Sequence, residues 1–347
     1  IMLTIDSEIQ LSAEEAVRRV YASSGAKAAS CIVLDPRTFE VLALANYPSY
    51  NLNDVPRGDT EKLNDYSRNR LVVDIYEPGS TFKIITAAAD LEEYLRGNTA
   101  AFSPQHVFSS SRTRSVDGTT IKCWSDHKNG KHTNQNLALA LNNSCNPCFT
   151  DIALSLGKDT FYSYLSAFGF GNVTGIDFSG EAAGMLLPQS MVKNCDLARI
   201  GFGQTVAVNG GNYYVPRLVR GIVSPDGQKQ LFAPVLKNKV ISEEASRMLA
   251  EMLEGVVSDG SGKKAYIEGY KVGGKTGTAQ KYENGRIAAG KYVSSFVGFF
   301  PSDEPRYLAL ITVDEPQGTY YGSAVAAPVA KEIFEDIIAI KNIRPYE

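Results

Sequence analysis

The segment EPGSTFKIITAAADLE contains a serine and a lysine whose spacing suits nucleophilic catalysis. Apolar residues recur at helical intervals from Ser80 to Tyr94, so the sequence predicts a helix that begins at the serine. Lys83 then lies on the same face one turn later, within reach of the Ser80 hydroxyl. A hydroxyl is a weak nucleophile at neutral pH, and a lysine with a lowered pKa can accept its proton. Taken alone, the pair is also typical of a helix cap beside a solvated lysine.

Two further motifs follow the first one along the chain. Ser144–Asn146 lies in LNNSCNPCF at a predicted helix junction, and Lys275–Thr278 begins a β-rich segment. The combination of SxxK, SxN and KTG is the signature of penicillin-binding proteins and serine β-lactamases. Each motif alone has a structural explanation, as a cap or as an edge strand. Their joint occurrence in this order predicts an acyl-transfer site.

Beyond the three motifs, the chain resembles a class B penicillin-binding protein, the transpeptidase that cross-links peptidoglycan. The matching segments are LTIDSEIQ, EPGSTFKIITAAADLE, LARIGFGQ, GGKTGTAQK and FVGFFP, and they extend over nearly the whole chain. The resemblance implies that Ser80 attacks the penultimate D-Ala carbonyl of a D-Ala-D-Ala stem peptide. The amine of a second stem peptide would then resolve the acyl-enzyme, and β-lactams would be trapped at the same serine.

The resemblance also assigns the proton transfers. Lys83 would be the base for acylation, and Ser144 and Lys275 would pass the proton to the leaving amine. Asn146 would hold Lys83 and the substrate amide. These four side chains are therefore expected to meet in one cluster with the serine nucleophile.

Substrate binding is assigned to the third motif and to backbone groups. The N–H groups of Ser80 and Thr278 would form an oxyanion hole, in which each donor contributes about 3 to 4 kcal/mol in other enzymes. Thr276 and Thr278 would bind the substrate carboxylate beside Lys275. At Gly277 we expect that a side chain would block the approach of substrate to the strand.

A second group of residues has the chemistry of a metal site. The segment IKCWSDHKNGKHTNQ places Cys123, Asp126, His127 and His132 in one loop, from which thiolates, imidazoles and a carboxylate could converge on Zn²⁺. The resemblance implies zinc here, because some class B relatives have a ligand before a Trp, a later His and a Cys inside SxN. By position, Cys123, His132 and Cys145 match that pattern.

The fourth zinc ligand is predicted to be Asp126, with Cys148, Asp117 and His127 as alternatives. Such a zinc would be structural, because it would hold the loop behind Ser144 and take no part in the acyl-transfer chemistry, which requires no cofactor. The competing interpretation is a set of buried free cysteines near a surface histidine.

Strand-forming segments lie at both ends of the chain and helical ones between them. We predict a hairpin over Ala28–Pro48, an irregular segment over Ser109–His132, an amphipathic helix over Ser242–Asp259 and a last helix over Val325–Ile340. Three β-rich segments, GKTGTAQKY, YVSSFVGFF and YLALITVDEP, precede the last helix.

This order predicts an α+β fold of the penicillin-binding protein and serine β-lactamase type. It consists of an antiparallel five-stranded sheet flanked by helices, with an inserted all-helical lobe. We expect a single transpeptidase domain over residues 1–347, in which residues 28–80 and 205–347 form the sheet lobe and residues 81–204 the mainly helical lobe. A cleft between the lobes is the natural position for the site.

Composition limits the partners. With 44% hydrophobic and 21% charged residues and a net charge of −3, the chain has no basic patch for nucleic acid. No segment has the apolar length of a membrane span. The resemblance implies a domain on the extracytoplasmic face of the membrane, an anchor upstream of Ile1 and a membrane glycosyltransferase partner.

Two other functions share the three motifs. A serine β-lactamase would hydrolyse its acyl-enzyme rapidly, and a non-catalytic β-lactam sensor would use acylation as a signal. We find no obvious glutamate placed to activate the hydrolytic water, and the long segment ahead of Ser80 favours the transpeptidase.

Overall fold

The computed structural model describes residues 1–127, 132–200, 209–283 and 286–346. The strands are β1 (Met2–Leu3), β2 (Ala28–Asp35), β3 (Glu40–Tyr47), β4 (Thr113–Val116), β5 (Thr119–Lys122), β6 (Asn212–Tyr214), β7 (Val219–Val223), β8 (Lys229–Leu231), β9 (Leu236–Lys239), β10 (Gly273–Glu283), β11 (Arg286–Phe300) and β12 (Tyr307–Asp314). The helices are α1 (Ser7–Ser24), α2 (Thr60–Tyr66), α3 (Arg70–Val73), α4 (Lys83–Leu95), α5 (Leu137–Asn142), α6 (Asn146–Ala167), α7 (Asn194–Ile200), α8 (Glu243–Ser258), α9 (Gly322–Val325) and α10 (Ala327–Ile340).

The central sheet joins the two ends of the chain. Its five strands follow the order β10-β11-β12-β2-β3, and every neighbouring pair is antiparallel. Pairing of β12 with β2 aligns Thr312 with Ser30, which are 282 positions apart in sequence. The predicted five-stranded antiparallel sheet and the Ala28–Pro48 hairpin are therefore confirmed.

Helices cover both faces of this sheet. Successive residues of a strand point to opposite faces, so Phe296 packs with α1 and α10 whereas Val297 packs with α4, α6 and α8. Cys31 on β2 is fully buried on the α1 and α10 side, and burial raises the pKa of its thiol to about 12. Because β2 is buried on both faces, its sequence is almost continuously apolar.

Local signals in the sequence position the flanking helices. The Ser242 hydroxyl accepts a hydrogen bond from Ala245 N at 3.2 Å, so the predicted cap of α8 is confirmed. Asp6 caps α1 in the same way through Ile9 N. The last predicted helix is also confirmed, as α10, with Pro328 in its first turn.

The inserted region contains one feature that the sequence did not predict. Strands β4 and β5 form a hairpin, with Thr113 opposite Lys122, inside the segment that was expected to be irregular. Its strands are only four residues long and largely polar, so they lack the alternating pattern by which a strand is usually detected. The lobe boundaries stay a prediction, and the one at 204/205 lies outside the described residues.

Smaller sheets lie beyond the central one. Strands β1, β7 and β8 form one of them, and β6 pairs with β9 to form another. Among the described residues, none of the helices has the length and apolar character required to cross a membrane.

Candidate active site

The serine of the first motif lies in a tight turn that leads into α4. Gly79–Phe82 form a 3₁₀ helix, so the predicted helical start at Ser80 is a tighter turn, and the α-helix begins at Lys83. Gly79 has φ +61, and a Cβ there would stand 3.0 Å from the backbone oxygen of Thr278. A glycine is needed at this position because the turn packs directly on β10 with a left-handed backbone.

Lys83 is completely buried and its amine is surrounded by oxygen atoms. Its Nζ lies 2.9 Å from Ser80 Oγ, 3.1 Å from Ser144 Oγ, 2.9 Å from Ser144 O and 2.7 Å from Asn146 Oδ1. The first two motifs therefore meet at one nitrogen. An amine in this position can exchange a proton with either serine hydroxyl.

Burial changes the protonation of Lys83. Removal from water lowers its pKa from 10.5 to about 8, although the neighbouring thiols of Cys123, Cys145 and Cys148 oppose this shift. A substantial fraction of the amine is consequently neutral near pH 8 and can accept a proton. This is the property that a base for a serine nucleophile requires.

The second motif occupies the sharp junction between α5 and α6. Ser144 is buried with φ +52, a conformation that is uncommon for residues other than glycine, and Cys145 N donates to Ala140 O at 3.0 Å. At this junction Ser144 Oγ and Asn146 Oδ1 both contact Lys83 Nζ, at 3.1 and 2.7 Å. Pro147 then fixes the first turn of α6.

The third motif lies on β10, an edge strand of the central sheet. Lys275 is fully buried and donates to Thr276 O at 3.3 Å. Burial, together with the nearby charge of Lys83, lowers the pKa of Lys275 well below 10.5. Two lysines thus lie close together in a site where water is scarce, which disfavours their being charged at the same time.

Gly277 has a packing role that the sequence did not indicate. A Cβ there would stand 2.3 Å from Ser295 Oγ, 2.8 Å from Pro78 O and 3.0 Å from Thr81 Cγ2. The expectation that a side chain at Gly277 would also block the approach of substrate stays a prediction. The glycine allows β10 to pack against β11 and against the turn that carries Ser80.

The two threonines of the motif are already hydrogen-bonded within the protein. Thr278 Oγ1 accepts from Gly322 N at 3.0 Å, which ties β10 to the start of α9. Thr276 Oγ1 lies 3.5 Å from Ser261 Oγ in the connection between α8 and β10. Both hydroxyls are therefore held in fixed positions on the strand.

Four potential metal ligands converge behind the second motif. The ligand atoms of Cys123, His127, His132 and Cys145 all lie within 4.8 Å of one another. Cys123 Sγ is 3.9 Å from Cys145 Sγ and 3.7 Å from His132 Nδ1, and Cys145 Sγ is 3.9 Å from His127 Nε2. Three of these residues are those predicted from the sequence.

The fourth member differs from the predicted one. Asp126 is exposed and does not belong to the cluster, whereas the neighbouring His127 does. Cys148 Sγ accepts from Gln135 Nε2 at 3.6 Å, and Asp117 accepts from Cys195 N at 3.3 Å, so both alternatives are engaged elsewhere. The backbone of His127, at φ +57, turns its ring inwards past the solvent-facing aspartate.

The cluster has the dimensions of a tetrahedral zinc site. Two sulfurs at about 2.3 Å and two nitrogens at about 2.0 Å from Zn²⁺ place neighbouring ligand atoms roughly 3.3 to 3.8 Å apart. Three of the separations between cluster atoms are 3.7, 3.9 and 3.9 Å, and all of them are within 4.8 Å. His127 Nδ1 also lies 2.8 Å from Ser110 O, an orienting contact that leaves Nε2 free for a metal. The donor set therefore fits zinc.

Other residues at the site were not identified from the sequence. Trp124 Nε1 donates to Asn143 O at 2.9 Å, although 63% of the tryptophan is exposed. Asn146 Nδ2 donates to Lys122 O at 2.9 Å. A backbone carbonyl leaves no trace in side-chain identity, so the sequence pointed to this segment through its predicted zinc ligands and its Trp but not to these two contacts.

Comparison with known proteins identifies the family of this chain. Residues 29–335 match the family model described as the penicillin binding protein transpeptidase domain. Stage V sporulation protein D of Bacillus subtilis is 36% identical over 99% of this chain and 54% of its own length. Peptidoglycan D,D-transpeptidase FtsI of Escherichia coli is 28% identical over 99% of this chain and 56% of its own length.

Solved structures match equally broadly. Penicillin binding protein 3 of Mycobacterium tuberculosis, in complex with aztreonam, has a TM-score of 0.88 and 28% identity over 99% of this chain and 80% of that one. The transpeptidase domain of penicillin-binding protein 3 of Burkholderia pseudomallei has a TM-score of 0.82 and 27% identity, over 99% of this chain and 98% of that one.

The chain belongs to the penicillin-binding protein transpeptidase family, and the relatives named above are class B members. It spans about half the length of the curated relatives it matches. The resemblance found from the motifs and the predicted fold type are thereby confirmed.

Gly277→Ala tests the close packing of β10. The added methyl group must displace backbone, so we expect a loss of about 1–3 kcal/mol in the free energy of unfolding and slower labelling by a fluorescent penicillin. Gly58→Ala is the control, because a Cβ there meets nothing within 4 Å. Equal stability of the two variants in denaturant titrations would contradict the packing role.

Proposed function

We propose that this chain is the catalytic domain of a serine D,D-transpeptidase that cross-links peptidoglycan stem peptides through an acyl-enzyme at Ser80. The observation that carries the proposal is the convergence of Ser80 Oγ, Ser144 Oγ and Asn146 Oδ1 on the buried amine of Lys83, at distances of 2.7 to 3.1 Å. A solvated lysine or a simple helix cap does not account for this arrangement.

Acylation begins with proton transfer from Ser80 to the neutral amine of Lys83, as Ser80 Oγ bonds to the penultimate D-Ala carbonyl. The amide bond to the terminal D-Ala then breaks, and its nitrogen receives a proton relayed by Ser144 with Lys275. The amine of a second stem peptide attacks the resulting ester and regenerates the Ser80 hydroxyl. The 3.1 Å contact between Lys83 Nζ and Ser144 Oγ supports the proton relay.

Substrate recognition is assigned to β10. The backbone N–H groups of Ser80 and Thr278 stabilise the developing oxyanion. The hydroxyls of Thr276 and Thr278, beside the Lys275 amine, bind the carboxylate, and Asn146 holds the substrate amide. Contact between the Gly79 turn and the Thr278 backbone supports this pairing, because it brings the two N–H groups to the same edge.

β-Lactams are proposed to acylate Ser80 because their strained amide presents the same carbonyl and carboxylate as the stem peptide. The matching Mycobacterium tuberculosis protein was crystallised with aztreonam. The cleft for both ligands lies between the sheet lobe (residues 28–80 and 205–347) and the mainly helical lobe (residues 81–204), within one domain over residues 1–347.

The cellular setting follows from the substrate. Peptidoglycan lies outside the membrane, so the domain is placed on the extracytoplasmic face of the membrane. A membrane glycosyltransferase that polymerises glycan strands is the expected partner, since cross-linking needs newly made strands. Several relatives are named as peptidoglycan D,D-transpeptidases, which supports this assignment.

A structural zinc ion is part of the proposal. Cys123, His127, His132 and Cys145 would hold it, and it would stabilise the loop on the far side of Ser144 and Asn146. A bound Zn²⁺ would supply fixed geometry rather than a reacting group, because Cys145 lies within the turn that orients both flanking residues.

Ser80→Ala tests the nucleophile. Intact mass after incubation with a fluorescent penicillin is expected to rise by one adduct in wild type and in Ser163→Ala, a solvent-facing serine control, but not in Ser80→Ala. No adduct on folded wild type would refute the proposal. An adduct that vanishes within seconds would indicate a β-lactamase, and a stable one without D-Ala release from a stem peptide would indicate a sensor.

The pH dependence of acylation tests Lys83 as the base. Because burial lowers its pKa to about 8, the neutral fraction grows as pH rises, and the labelling rate should increase through about pH 8 and then level off. Lys83→Arg keeps the charge but cannot lose a proton in this range, so it should label very slowly at every pH. A wild-type rate that is constant from acidic to alkaline pH would rule out this role.

Metal content distinguishes the two candidates for the fourth ligand. We expect elemental analysis to find equimolar zinc in wild type and in Asp126→Ala, and a large loss in His127→Ala, since only His127 joins the cluster. The His127 variant should also unfold at a lower temperature. If the Asp126 variant lost zinc and the His127 variant retained it, Asp126 and not His127 would be the fourth ligand.

A further inference from the structure

The orientation of the Asn146 amide depends on a carbonyl outside the three motifs. Asn146 Oδ1 lies 2.7 Å from Lys83 Nζ, and Asn146 Nδ2 donates to Lys122 O at 2.9 Å. An amide has acceptors at one end and donors at the other, so a rotation by half a turn would place its NH₂ group against the lysine. By accepting from Asn146 Nδ2, the Lys122 carbonyl therefore keeps the acceptor atom, Asn146 Oδ1, directed at the Lys83 amine.

Lys122 is the last residue of β5, in a hairpin that needs external support. Each strand of the hairpin has four residues, and two-stranded hairpins of this size are marginal on their own. Val116 and Ile121 provide a small apolar contact with Ala198 on α7. Val116 lies beside the turn of the hairpin and Ile121 directly precedes Lys122 on β5, so this contact by itself is a small support for the position of Lys122.

A bidentate ion pair between Arg114 and Asp151 connects the hairpin to α6, the helix that begins at Asn146. Arg114 Nε donates to Asp151 Oδ1 and Arg114 Nη2 to Asp151 Oδ2, both at 2.7 Å. Arg114 lies on β4 directly opposite Ile121, the neighbour of Lys122, and Asp151 is on α6 five residues after Asn146. The side chains are 18% and 26% exposed, so solvent screens the pair only in part.

The ion pair and the Asn146 amide contact therefore connect the β4–β5 hairpin to α6 at two separate points. The Asn146 amide joins α6 to β5, and Arg114 joins β4 back to α6 one turn further along. Since a guanidinium and a carboxylate meet in a planar fork, the pair fixes the direction as well as the distance between hairpin and helix. A sliding hairpin would carry the Lys122 carbonyl away from the Asn146 amide.

We propose that Arg114 and Asp151 are a positioning pair for acyl transfer, which holds the Lys122 carbonyl where it orients Asn146 towards Lys83. Neither residue touches the reacting atoms, and the pair acts through the hairpin. This inference rests on the proposed function, because it assigns the pair an effect on the acylation step.

The test measures two constants for a fluorescent penicillin by stopped flow: the dissociation constant of the initial complex and the rate constant of acylation. Asp151→Asn retains the shape of the side chain and removes its charge. We expect the acylation rate constant to fall roughly 10- to 100-fold with a much smaller change in the dissociation constant, because Asn146 is misplaced relative to Lys83 and to the substrate amide while the carboxylate-binding strand β10 is untouched. Arg114→Lys, which keeps the charge without the fork, should give a smaller fall.

Glu40→Gln is the matched control. Glu40 pairs with Arg217 at 2.7 Å with 14% and 13% exposure, and it lies on β3 at the opposite edge of the sheet from β10. It should lose stability as Asp151→Asn does and acylate at the wild-type rate. If Asp151→Asn is too unstable to isolate, the acylation rate constant of the milder variant Arg114→Lys is compared with that of Glu40→Gln instead.

Two results would overturn the inference in distinguishable ways. If wild type acylates and both pair variants acylate at the wild-type rate, the positioning role fails and the transpeptidase proposal stands. If folded wild type forms no adduct, both fail together. A shifted side-chain amide resonance of Asn146 in Asp151→Asn, with no shift in Glu40→Gln, would support the orienting connection independently of activity.

Discussion

The burial of one amine, Lys83 Nζ, is the constraint on which the rest of the site depends. An amine removed from water needs polar partners, and here four oxygens lie within 3.1 Å of it. The same burial lowers its pKa to about 8, which makes it a useful base. Burial and reactivity are therefore linked in one arrangement, because the oxygens that make burial tolerable include Ser80 Oγ, the proposed nucleophile.

These oxygens come from separate parts of the chain, so the fold must bring them together. Ser144 is 61 positions and Asn146 is 63 positions beyond Lys83. Helix α4 presents the lysine, the junction before α6 presents the two partners, and β10 closes the remaining side with Lys275. Because β10 belongs to a sheet that combines both ends of the chain, the central strands act as the rigid base for residues of all three motifs.

Close backbone approach is the second requirement. The turn with Ser80 packs against β10 at Gly79 and Gly277, where no larger side chain fits, and Ser144 adopts a positive φ at the short junction between α5 and α6. The turn at Ser144 is flanked by the cysteine and histidine cluster and by the β4–β5 hairpin. Contacts with these neighbours help to hold Ser144 in its uncommon backbone conformation.

The sequence by itself determined the family, the sheet with its flanking helices and the residues of the three motifs, because these depend on local patterns and on residue types at fixed spacings. Tertiary structure decided what depends on atoms distant in sequence. It placed His127 rather than Asp126 in the cluster, since one backbone turn chooses which of two adjacent side chains points inwards. It showed that Gly277 serves packing against Ser295 and Pro78, and that a carbonyl of Lys122 faces Asn146. Backbone groups and contact directions are set by the whole fold, so no local pattern encodes them.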